Sequence, residues 1–200
     1  QGSPLYGWNL FLKRMVDVCG AVVALVVASP IALMIAVLIK LTSSGPVFYR
    51  QIRVGLDGKS FNIIKIRTMR MDAEEKTGPV WTKAHDPRRT LIGTFLRRTS
   101  LDELPQFWNV LKGEMSIVGP RPERPEFIEK FRAQIPQYNL RHKMKAGITG
   151  WAQINGLRGN TSWEKRLAYD MYYIEHWSLW LDVKIMILTL WKGLINREAY

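Results

Sequence analysis

A long apolar run near the beginning of the chain constrains this protein more than any other feature of its sequence. Val18 to Ile39 holds 22 residues without a charge, between Asp17 and Lys40. As one helix the run would be about 33 Å long at about 1.5 Å per residue, enough for a hydrocarbon core of about 30 Å. The rest of the chain has no comparable run. The sequence therefore predicts a membrane protein whose remaining residues work at a membrane surface.

A serine-proline pair, Ser29-Pro30, lies near the middle of this run. Proline lacks an N–H and its ring clashes with the carbonyl one turn earlier, so a break or kink is expected here. The Ser29 hydroxyl is placed to bond a carbonyl that the proline leaves without a partner. Basic residues flank both ends of the run and favour the cytoplasmic side of a membrane: Lys13, Arg14, Lys40, Arg50 and Arg53.

We therefore predict that residues 1–45 form a re-entrant helix-break-helix, which enters the cytoplasmic leaflet and returns. A kinked helix that crosses the bilayer is the alternative. With the basic flanks, the first interpretation places the protein at the cytoplasmic face of a membrane.

Net charge and cysteine content limit the partners of the chain. A formal charge of +12 suits phosphorylated small molecules, the anionic cytoplasmic leaflet or nucleic acid. The apolar run favours the first two, so membrane lipid is an expected partner and nucleic acid is not. The single cysteine, Cys19, lies inside the apolar run, which excludes a disulfide framework and a thiolate metal site.

Residues 46–200 are predicted to form one α+β domain that faces the cytoplasm. Val47 to Val54 and Phe61 to Thr68 are rich in β-branched and aromatic residues, and the turn residues between them predict a small β-hairpin. Asp86-Pro87 has the composition of a helix start. Further helices are predicted from Thr99 to Gly113 and over 125–134, 163–174 and 182–195.

For two of these helices, the sequence also predicts which face the apolar side chains occupy. The helix after Asp86-Pro87 is expected to turn four residues inward: Leu91, Ile92, Phe95 and Leu96. The last helix is amphipathic, with Ile185, Leu188 and Trp191 on its apolar face. It either lies in the membrane interface, as one of several interfacial amphipathic helices, or packs against the core of the domain.

The adjacent acidic residues Asp102 and Glu103 are the first candidates for chemistry. Acidic residues at a helix start commonly complement the macrodipole and cap free N–H groups, which is the ordinary explanation. Arginines nearby in sequence, with Arg121 held between two prolines, favour a site that handles phosphate. Two carboxylates at one site also suit Mg²⁺, which binds few protein oxygens and bridges to phosphates.

The other charged candidates for the site also have ordinary structural explanations. Lys65 and Arg67 alternate on the second strand of the hairpin and could be its solvated face. Arg121 could be a loop residue in a surface salt bridge. Asp170 lies one turn after Arg166, so an ion pair along one helix explains it as well.

Several stretches together resemble one known family, the monotopic phosphoglycosyl transferases, also called bacterial sugar transferases. The resemblance covers nearly the whole chain and rests on these segments: Lys13-Arg14 with Ser29-Pro30, residues 65–69, residues 100–106 (Ser-Leu-Asp-Glu-Leu-Pro-Gln), residues 115–122 and residues 147–156. The chain looks most like the catalytic domain of larger polyprenyl-phosphate sugar-1-phosphate transferases that initiate exopolysaccharide or O-antigen synthesis. Such members carry further membrane helices before this domain.

The resemblance implies transfer of a sugar-1-phosphate from a nucleotide diphosphate sugar to polyprenyl phosphate, through a covalent aspartyl intermediate. It makes Asp102 the nucleophile and Glu103 its partner, and both would hold Mg²⁺. The remaining substrate-binding positions are Lys65, Arg67, Arg97, Arg121, Arg158 and Asp170. A UDP-sugar and undecaprenyl phosphate are the expected substrates.

A membrane-tethered binding module with a basic surface for anionic lipid or nucleic acid is the alternative function. It would explain the charge and the apolar run, but not the acidic pair or the proline-flanked Arg121. The sugar, the nucleobase and the oligomeric state stay open, with a homodimer as one option.

Overall fold

The computed structural model describes residues 4–73, 78, 86–135, 137–159 and 161–195, apart from the side chains of 130, 133, 134 and 193–195. Helices and strands are mixed along the chain, as predicted. They occur in this order: α1 (Trp8–Thr42), β1 (Phe48–Val54), β2 (Ser60–Ile66), α2 (Leu91–Thr99), α3 (Gln106–Lys112), β3 (Ser116–Val118), α4 (Pro125–Gln134), β4 (Gly147–Thr149), α5 (Trp151–Ile154), α6 (Trp163–Glu175) and α7 (Leu179–Ile195).

The apolar run forms α1, a single helix of 35 residues that continues through Pro30. Helical structure is thus not interrupted where the sequence predicted a break. The Ser29 hydroxyl donates to the carbonyl oxygen of Val26 at 2.9 Å. That carbonyl lies four residues before Pro30 and would otherwise accept from the N–H that proline lacks. The expected compensation by serine is confirmed, whereas the re-entrant path remains a prediction.

One side of α1 is buried along most of its length, and the other sides are exposed. The buried residues recur at a spacing that places them on one helical face: Lys13, Asp17, Ala21, Ala28, Ile35 and Ile39. The first half of α1 contacts α3, β3 and α7, whereas Ile35 and Ile39 pack against Ile66 and Leu96. Both halves therefore lie against the same domain. Among the described helices, α1 alone has the length and apolarity needed to cross a bilayer.

Two small sheets position the loops of the domain. β1 and β2 form the predicted antiparallel hairpin, with Phe48 opposite Ile66 and Val54 opposite Ser60. β3 and β4 form a parallel pair that the sequence did not predict. A Cβ atom at Gly147 would collide with the backbone of Gly119, so the absence of side chains allows the two strands to approach.

The start of α2 differs from the prediction. Thr90 is the N-cap, and its hydroxyl accepts a hydrogen bond from the backbone N–H of Gly93 at 2.9 Å. Asp86 instead forms an ion pair with Arg88 at 2.6 Å, within the segment that precedes the helix. The Asp-Pro start signal was therefore wrong by about one turn, because a threonine closer to the apolar residues provides the cap.

The apolar residues of α2 point in two directions. Leu96 is buried and Ile92 packs beside it, as predicted. Leu91 and Phe95 are exposed, at 94% and 59%, so their predicted inward direction was wrong. Ile92 and Leu96 are four residues apart and share the stripe of α2 that meets the core, whereas Leu91 and Phe95 lie on the neighbouring stripe.

The apolar residues of α7 also lie on two faces, one buried and one exposed. Ile185 is fully buried and Leu188 packs against the main core, which joins α3, β3, α6 and α7. Trp191 is 65% exposed, so it does not share the face of Ile185 as predicted. It accompanies other exposed apolar residues on the outward side: Trp180, Ile187 and Leu190. Packing against the core is therefore confirmed for one face of this helix. The membrane-interface alternative stays a prediction, for which the exposed apolar face is available.

Candidate active site

The acidic pair lies on a single turn of 3₁₀ helix, Leu101–Glu103, between α2 and α3. Ser100 precedes it with a left-handed φ of 57°, which turns the chain sharply after α2. Pro105 is the N-cap of α3, where its missing N–H costs nothing. The predicted continuous helix from Thr99 is thus a 3₁₀ turn and then a shorter α-helix. This arrangement brings Asp102 to the wall of a cavity, although its side chain is largely buried.

Glu103 is held by two cations. Its Oε1 atom accepts from Lys65 Nζ at 2.7 Å and from Arg121 Nη2 at 2.9 Å. Burial alone would raise the pKa of Glu103, but Arg121 and Lys65 outweigh it and hold that pKa well below its usual range. Glu103 is therefore ionised and fixed in place, and it orients both cations toward the cavity.

Asp102 has a different environment although it is the preceding residue. No hydrogen bond reaches its carboxylate from the part of the chain that the structure describes. Burial raises its pKa to about 6, opposed by Lys65 and reinforced by the negative charge of Glu103. A buried carboxylate with free lone pairs and neighbouring cations can act as a nucleophile or bind a metal ion.

Arg97 and Arg121 complete the surroundings of the pair. Arg97 Nε donates to Thr68 Oγ1 at 2.8 Å, and its charge acts on Asp102. Arg121 lies between two prolines in the segment after β3 and contacts Glu103 directly. Glu103 raises the pKa of Arg121 above its ordinary value, despite burial, so this guanidinium stays charged. Three of the predicted cations, Lys65, Arg97 and Arg121, thus surround the two carboxylates.

The structure places the other predicted site residues differently. Arg67 lines the same cavity but uses its guanidinium on the end of α1, with Nη1 2.5 Å from the Ser44 carbonyl oxygen. Arg158 also lines the cavity, and burial lowers its pKa, with the neighbouring Arg121 acting in the same direction. Its Nε atom is buried without a hydrogen-bond partner in the described structure. This donor of Arg158 is therefore not used by the described chain.

Asp170 does not contact the carboxylate pair. It lies 2.7 Å from Arg141 Nη2, and both side chains are buried. The same Arg141 nitrogen donates to the carbonyl oxygen of Arg121 at 2.9 Å. The alternative pairing of Asp170 with Arg166 is not found, since Arg166 Nη1 binds Glu123 Oε1 at 2.9 Å. Asp170 thus acts on the site through the backbone of Arg121.

One cavity of about 500 Å³, a size typical of small-molecule sites, is lined by the acidic pair and by the predicted site residues other than Asp170. Basic side chains dominate its described wall: Arg53, Lys65, Arg67, Arg70, Arg88, Arg97, Arg121, Arg124, Arg158 and Arg166. Only three acidic residues of the described chain line it, Asp102, Glu103 and Glu123. This excess of positive charge favours a ligand with several negative charges.

Sequence reasoning missed several residues of the cavity wall. The sequence marks Arg53 only as a flanking charge of the apolar run, yet its Nη1 donates to the Pro122 carbonyl oxygen at 3.2 Å. Gln153 and Thr189 reach the wall from α5 and α7. Gln153 lies in a stretch that carried the resemblance, but no local pattern marks Thr189 as part of the site.

The acidic pair could hold a magnesium ion that completes its shell with other ligands, rather than a metal bound by protein side chains alone. The described residues contain no group of three histidine, cysteine or acidic side chains that could hold a metal. Mg²⁺ commonly binds one or two carboxylates and completes its shell with water and substrate phosphates. The unbonded carboxylate of Asp102 and the remaining oxygen of Glu103 provide such a donor set.

Comparison with known proteins places the chain in a family. The family model described as bacterial sugar transferase matches residues 8–196. A UDP-glucose:undecaprenyl-phosphate glucose-1-phosphate transferase of Escherichia coli (strain K12) is 51% identical over 99% of this chain and 43% of that protein. A UDP-N-acetylgalactosamine-undecaprenyl-phosphate N-acetylgalactosaminephosphotransferase of Aeromonas hydrophila is 44% identical over 94% of this chain and 44% of that protein.

A relative from Caulobacter vibrioides, also named a UDP-glucose:undecaprenyl-phosphate glucose-1-phosphate transferase, is 43% identical over 94% of this chain and 72% of that protein. The chain spans about two fifths of the length of the first two relatives. The match of the family model and the identity to these relatives show that the chain belongs to the bacterial sugar transferase family.

Proposed function

We propose that this chain transfers a sugar-1-phosphate from a nucleotide diphosphate sugar to polyprenyl phosphate, through a phosphosugar bound covalently to Asp102. One observation carries the proposal: Asp102 is buried at the cavity wall with no hydrogen bond from the described chain, beside cations that Glu103 holds in place. The names of the relatives indicate a UDP-sugar as donor and undecaprenyl phosphate as acceptor. The reaction would be the first membrane step of exopolysaccharide-type synthesis.

The proposed reaction has two displacements at one phosphorus atom. In the first, a carboxylate oxygen of Asp102 bonds to the sugar-bearing phosphorus, and the bond to the bridging diphosphate oxygen breaks. The nucleoside monophosphate leaves with that electron pair. In the second, an oxygen of polyprenyl phosphate bonds to the same phosphorus, and the bond between this phosphorus and the Asp102 carboxylate oxygen breaks. The carboxylate is regenerated, and one difficult transfer is divided into two easier ones.

Charge neutralisation is the main contribution expected of the other residues. An Asp102 carboxylate that approaches a diphosphate is repelled by about 4 kcal/mol per charge pair at 4 Å and an effective dielectric of about 20. Lys65 and Arg121 stand beside the carboxylates and can offset this repulsion. Arg97 and Arg158 line the same cavity and are proposed to contact the phosphates as well.

Magnesium is part of the proposal, with Asp102 and Glu103 as its protein ligands. When bound, it would neutralise oxygens of the diphosphate and of the leaving monophosphate. Glu103 contributes whether or not the ion is present, since it fixes Lys65 and Arg121 at the cavity wall.

The position in the membrane is proposed from α1. Both halves of this helix pack against one domain, which a helix with its ends on opposite sides of a bilayer could not easily allow. Its other sides expose valine, leucine and isoleucine residues suited to hydrocarbon. We propose that α1 is re-entrant from the cytoplasmic face of the inner membrane, with the cavity at the level of the lipid phosphates.

Removal of the nucleophile tests the proposal. Purified protein is mixed with UDP-glucose, Mg²⁺ and undecaprenyl phosphate, and release of UMP is measured. Asp102→Asn should lower the rate by at least about 10³-fold. Asp57→Asn is the matched control, because Asp57 is an exposed residue of the β1–β2 turn whose ion pair, with Lys143, is exposed as well.

Withholding the lipid should leave a phosphosugar on wild-type protein, detected on the peptide that contains Asp102 by mass spectrometry. Full turnover by Asp102→Asn would refute the proposed mechanism. A protein that binds anionic vesicles but releases no UMP from any of a panel of UDP-sugars would instead support the basic binding module.

A further inference from the structure

A cluster of buried polar side chains joins the beginning of α1 to α6 and α7, apart from the carboxylate pair. Lys13 Nζ lies 2.7 Å from Asp182 Oδ2, and the two residues are 4% and 2% exposed. Tyr173 supplies a hydroxyl 2.6 Å from Asp182 Oδ1, and Trp177 Nε1 donates to Oδ2 at 3.2 Å. Lys13 and Asp182 are 169 positions apart in the chain, so the cluster exists only in the folded protein.

This cluster converges on one backbone atom, the carbonyl oxygen of Val118 at the end of β3. Lys13 Nζ and the Tyr173 hydroxyl each lie 3.1 Å from this oxygen. The Ser116 hydroxyl lies 2.9 Å from it and also 2.9 Å from Asp17 Oδ1 on α1. Two residues of the membrane helix are thus linked to the end of β3, one directly and one through a serine.

The backbone from Val118 to Arg121 is then held at successive positions. The N–H of Gly119 donates to the Thr149 carbonyl oxygen at 2.9 Å, and the Pro120 carbonyl oxygen accepts from Gly147 N–H at 2.9 Å. The Arg121 carbonyl oxygen accepts from the guanidinium of Arg141. Because Val118 and Arg121 are only three residues apart in this segment, we expect a displacement at Val118 to change the position of the Arg121 side chain relative to Glu103.

Stability alone gives a weak reason for this cluster. A buried ion pair commonly stabilises a fold no better than apolar side chains of similar volume, since both charges lose their hydration. The cluster nevertheless uses a lysine at the start of a membrane helix, together with a tyrosine, a tryptophan and an aspartate. A requirement for a defined backbone position explains this choice of residues better than packing does.

We propose that Lys13, Tyr173 and Asp182 form a positioning network that sets Arg121 for catalysis by tying the end of β3 to the membrane helix. The network thereby couples the placement of α1 to the geometry of the cavity. Its kinetic consequence rests on the proposed transferase function, in which Arg121 faces the diphosphate. None of the three residues lines the cavity, so all three would act through the backbone.

The most conservative substitution that tests the network removes the hydroxyl of Tyr173. Tyr173→Phe keeps the buried ring and should lower kcat/KM for the UDP-sugar about tenfold, because a small displacement of a catalytic group costs that much or more. Tyr172→Phe is the matched control on the same helix, since Tyr172 is 45% exposed and stacks its ring on Trp151 and His176. The control should stay within about twofold of wild type.

A double-mutant cycle distinguishes positioning from a general structural role. If Tyr173 acts through Arg121, Tyr173→Phe should change kcat/KM by less than about twofold in an Arg121→Lys background. An equal tenfold loss in both backgrounds would overturn the proposal. The double variant Lys13→Met/Asp182→Leu should keep a similar melting temperature yet show a loss like that of Tyr173→Phe.

Amide hydrogen exchange gives a readout that needs no activity. Tyr173→Phe should speed exchange at the N–H groups of Gly119 and Gly147, and leave the β1–β2 hairpin unchanged. Unchanged exchange at both glycines would contradict the network even if turnover falls. If the wild-type protein releases no UMP, the proposed function fails by itself, and exchange at the two glycines still decides about the network.

Discussion

Asp102 and Glu103 are covalent neighbours, yet the folded protein gives their carboxyl groups opposite properties. Glu103 receives two charged donors, which hold its pKa low against the effect of burial. Asp102 is buried without such donors, and its pKa rises to about 6. The nucleophile of the proposed reaction is therefore the carboxylate with the higher basicity, and its ionisation occurs close to working pH. Both the activity and the stability of the protein should depend on pH as a result.

The pH dependence of the reaction should report the raised pKa. We expect kcat/KM for the UDP-sugar to fall below an apparent pKa near 6, well above the ordinary aspartate value of about 4. Glu103→Gln removes a negative charge that raises the pKa of Asp102, so the acidic limb should move to lower pH in the variant. A limb that stays in place or moves to higher pH would contradict the proposed interaction.

The same pKa affects stability. Because the folded state binds the Asp102 proton more tightly than the unfolded state, the contribution of Asp102 to stability becomes less favourable as the pH rises from about 4 to about 6. Asp102→Asn avoids that loss. Its unfolding free energy should exceed that of wild type by up to about 3 kcal/mol at pH 8 and match it near pH 4. Thermal unfolding in detergent at several pH values measures this difference, with Asp57→Asn as an exposed control.

At the scale of elements, the short helices turn apolar residues toward both the core and the outside. α2 buries Leu96 but exposes Phe95, and α7 buries Ile185 but exposes Trp191. An apolar residue on a helix is usually interpreted as a core residue, yet a domain beside a membrane has a second apolar phase available. The outward residues of α7 are therefore candidates for contact with lipid.

A fluorescent probe can test that contact. In a Cys19→Ser background, Leu190→Cys carries an environment-sensitive probe on the outward side of α7. We expect a blue shift of the probe when the protein is placed in vesicles of bacterial lipid, since the side chain would enter the interface. Lys59→Cys, on the exposed β1–β2 turn, provides the control and should keep the spectrum of a hydrated probe. An equally hydrated probe at position 190 would remove α7 from the membrane interface.

The whole molecule is arranged along α1. Its first half meets the main core, its second half meets the smaller cluster beside the acidic pair, and its outer sides remain apolar. Arg67 also binds the end of α1, through the carbonyl oxygen of Ser44. The membrane helix is therefore part of the framework of the cavity, in addition to its predicted role as an anchor.

Labelling of both ends of α1 tests how the molecule sits in the bilayer. With Cys19 replaced by serine, Leu10→Cys and Ser44→Cys are exposed to a membrane-impermeant reagent in right-side-out and inverted vesicles. Gly45 is avoided because its φ of 101° and its contact with Arg67 leave no room for a side chain. Both positions should react from the cytoplasmic side only. Reaction from opposite sides would establish a spanning helix and refute the re-entrant path.

Local chemistry in the sequence was enough to predict several parts of the protein. An uncharged run determines a long apolar helix, alternating apolar residues with turn residues determine the β1–β2 hairpin, and Ser29 compensates Pro30 within one turn. The acidic pair was also visible, since its residues are adjacent. Each of these features depends on interactions between residues that are close in the chain.

Only the tertiary structure decided how those parts meet. The β3–β4 pair, the contact of Asp170 with Arg141, and the cluster around Val118 join residues from distant segments. The same is true of the difference between Asp102 and Glu103, because the cations that cause it come from β2 and from the segment after β3. Burial and charge at these sites depend on which segments pack together, and a single sequence carries no local signal of that packing.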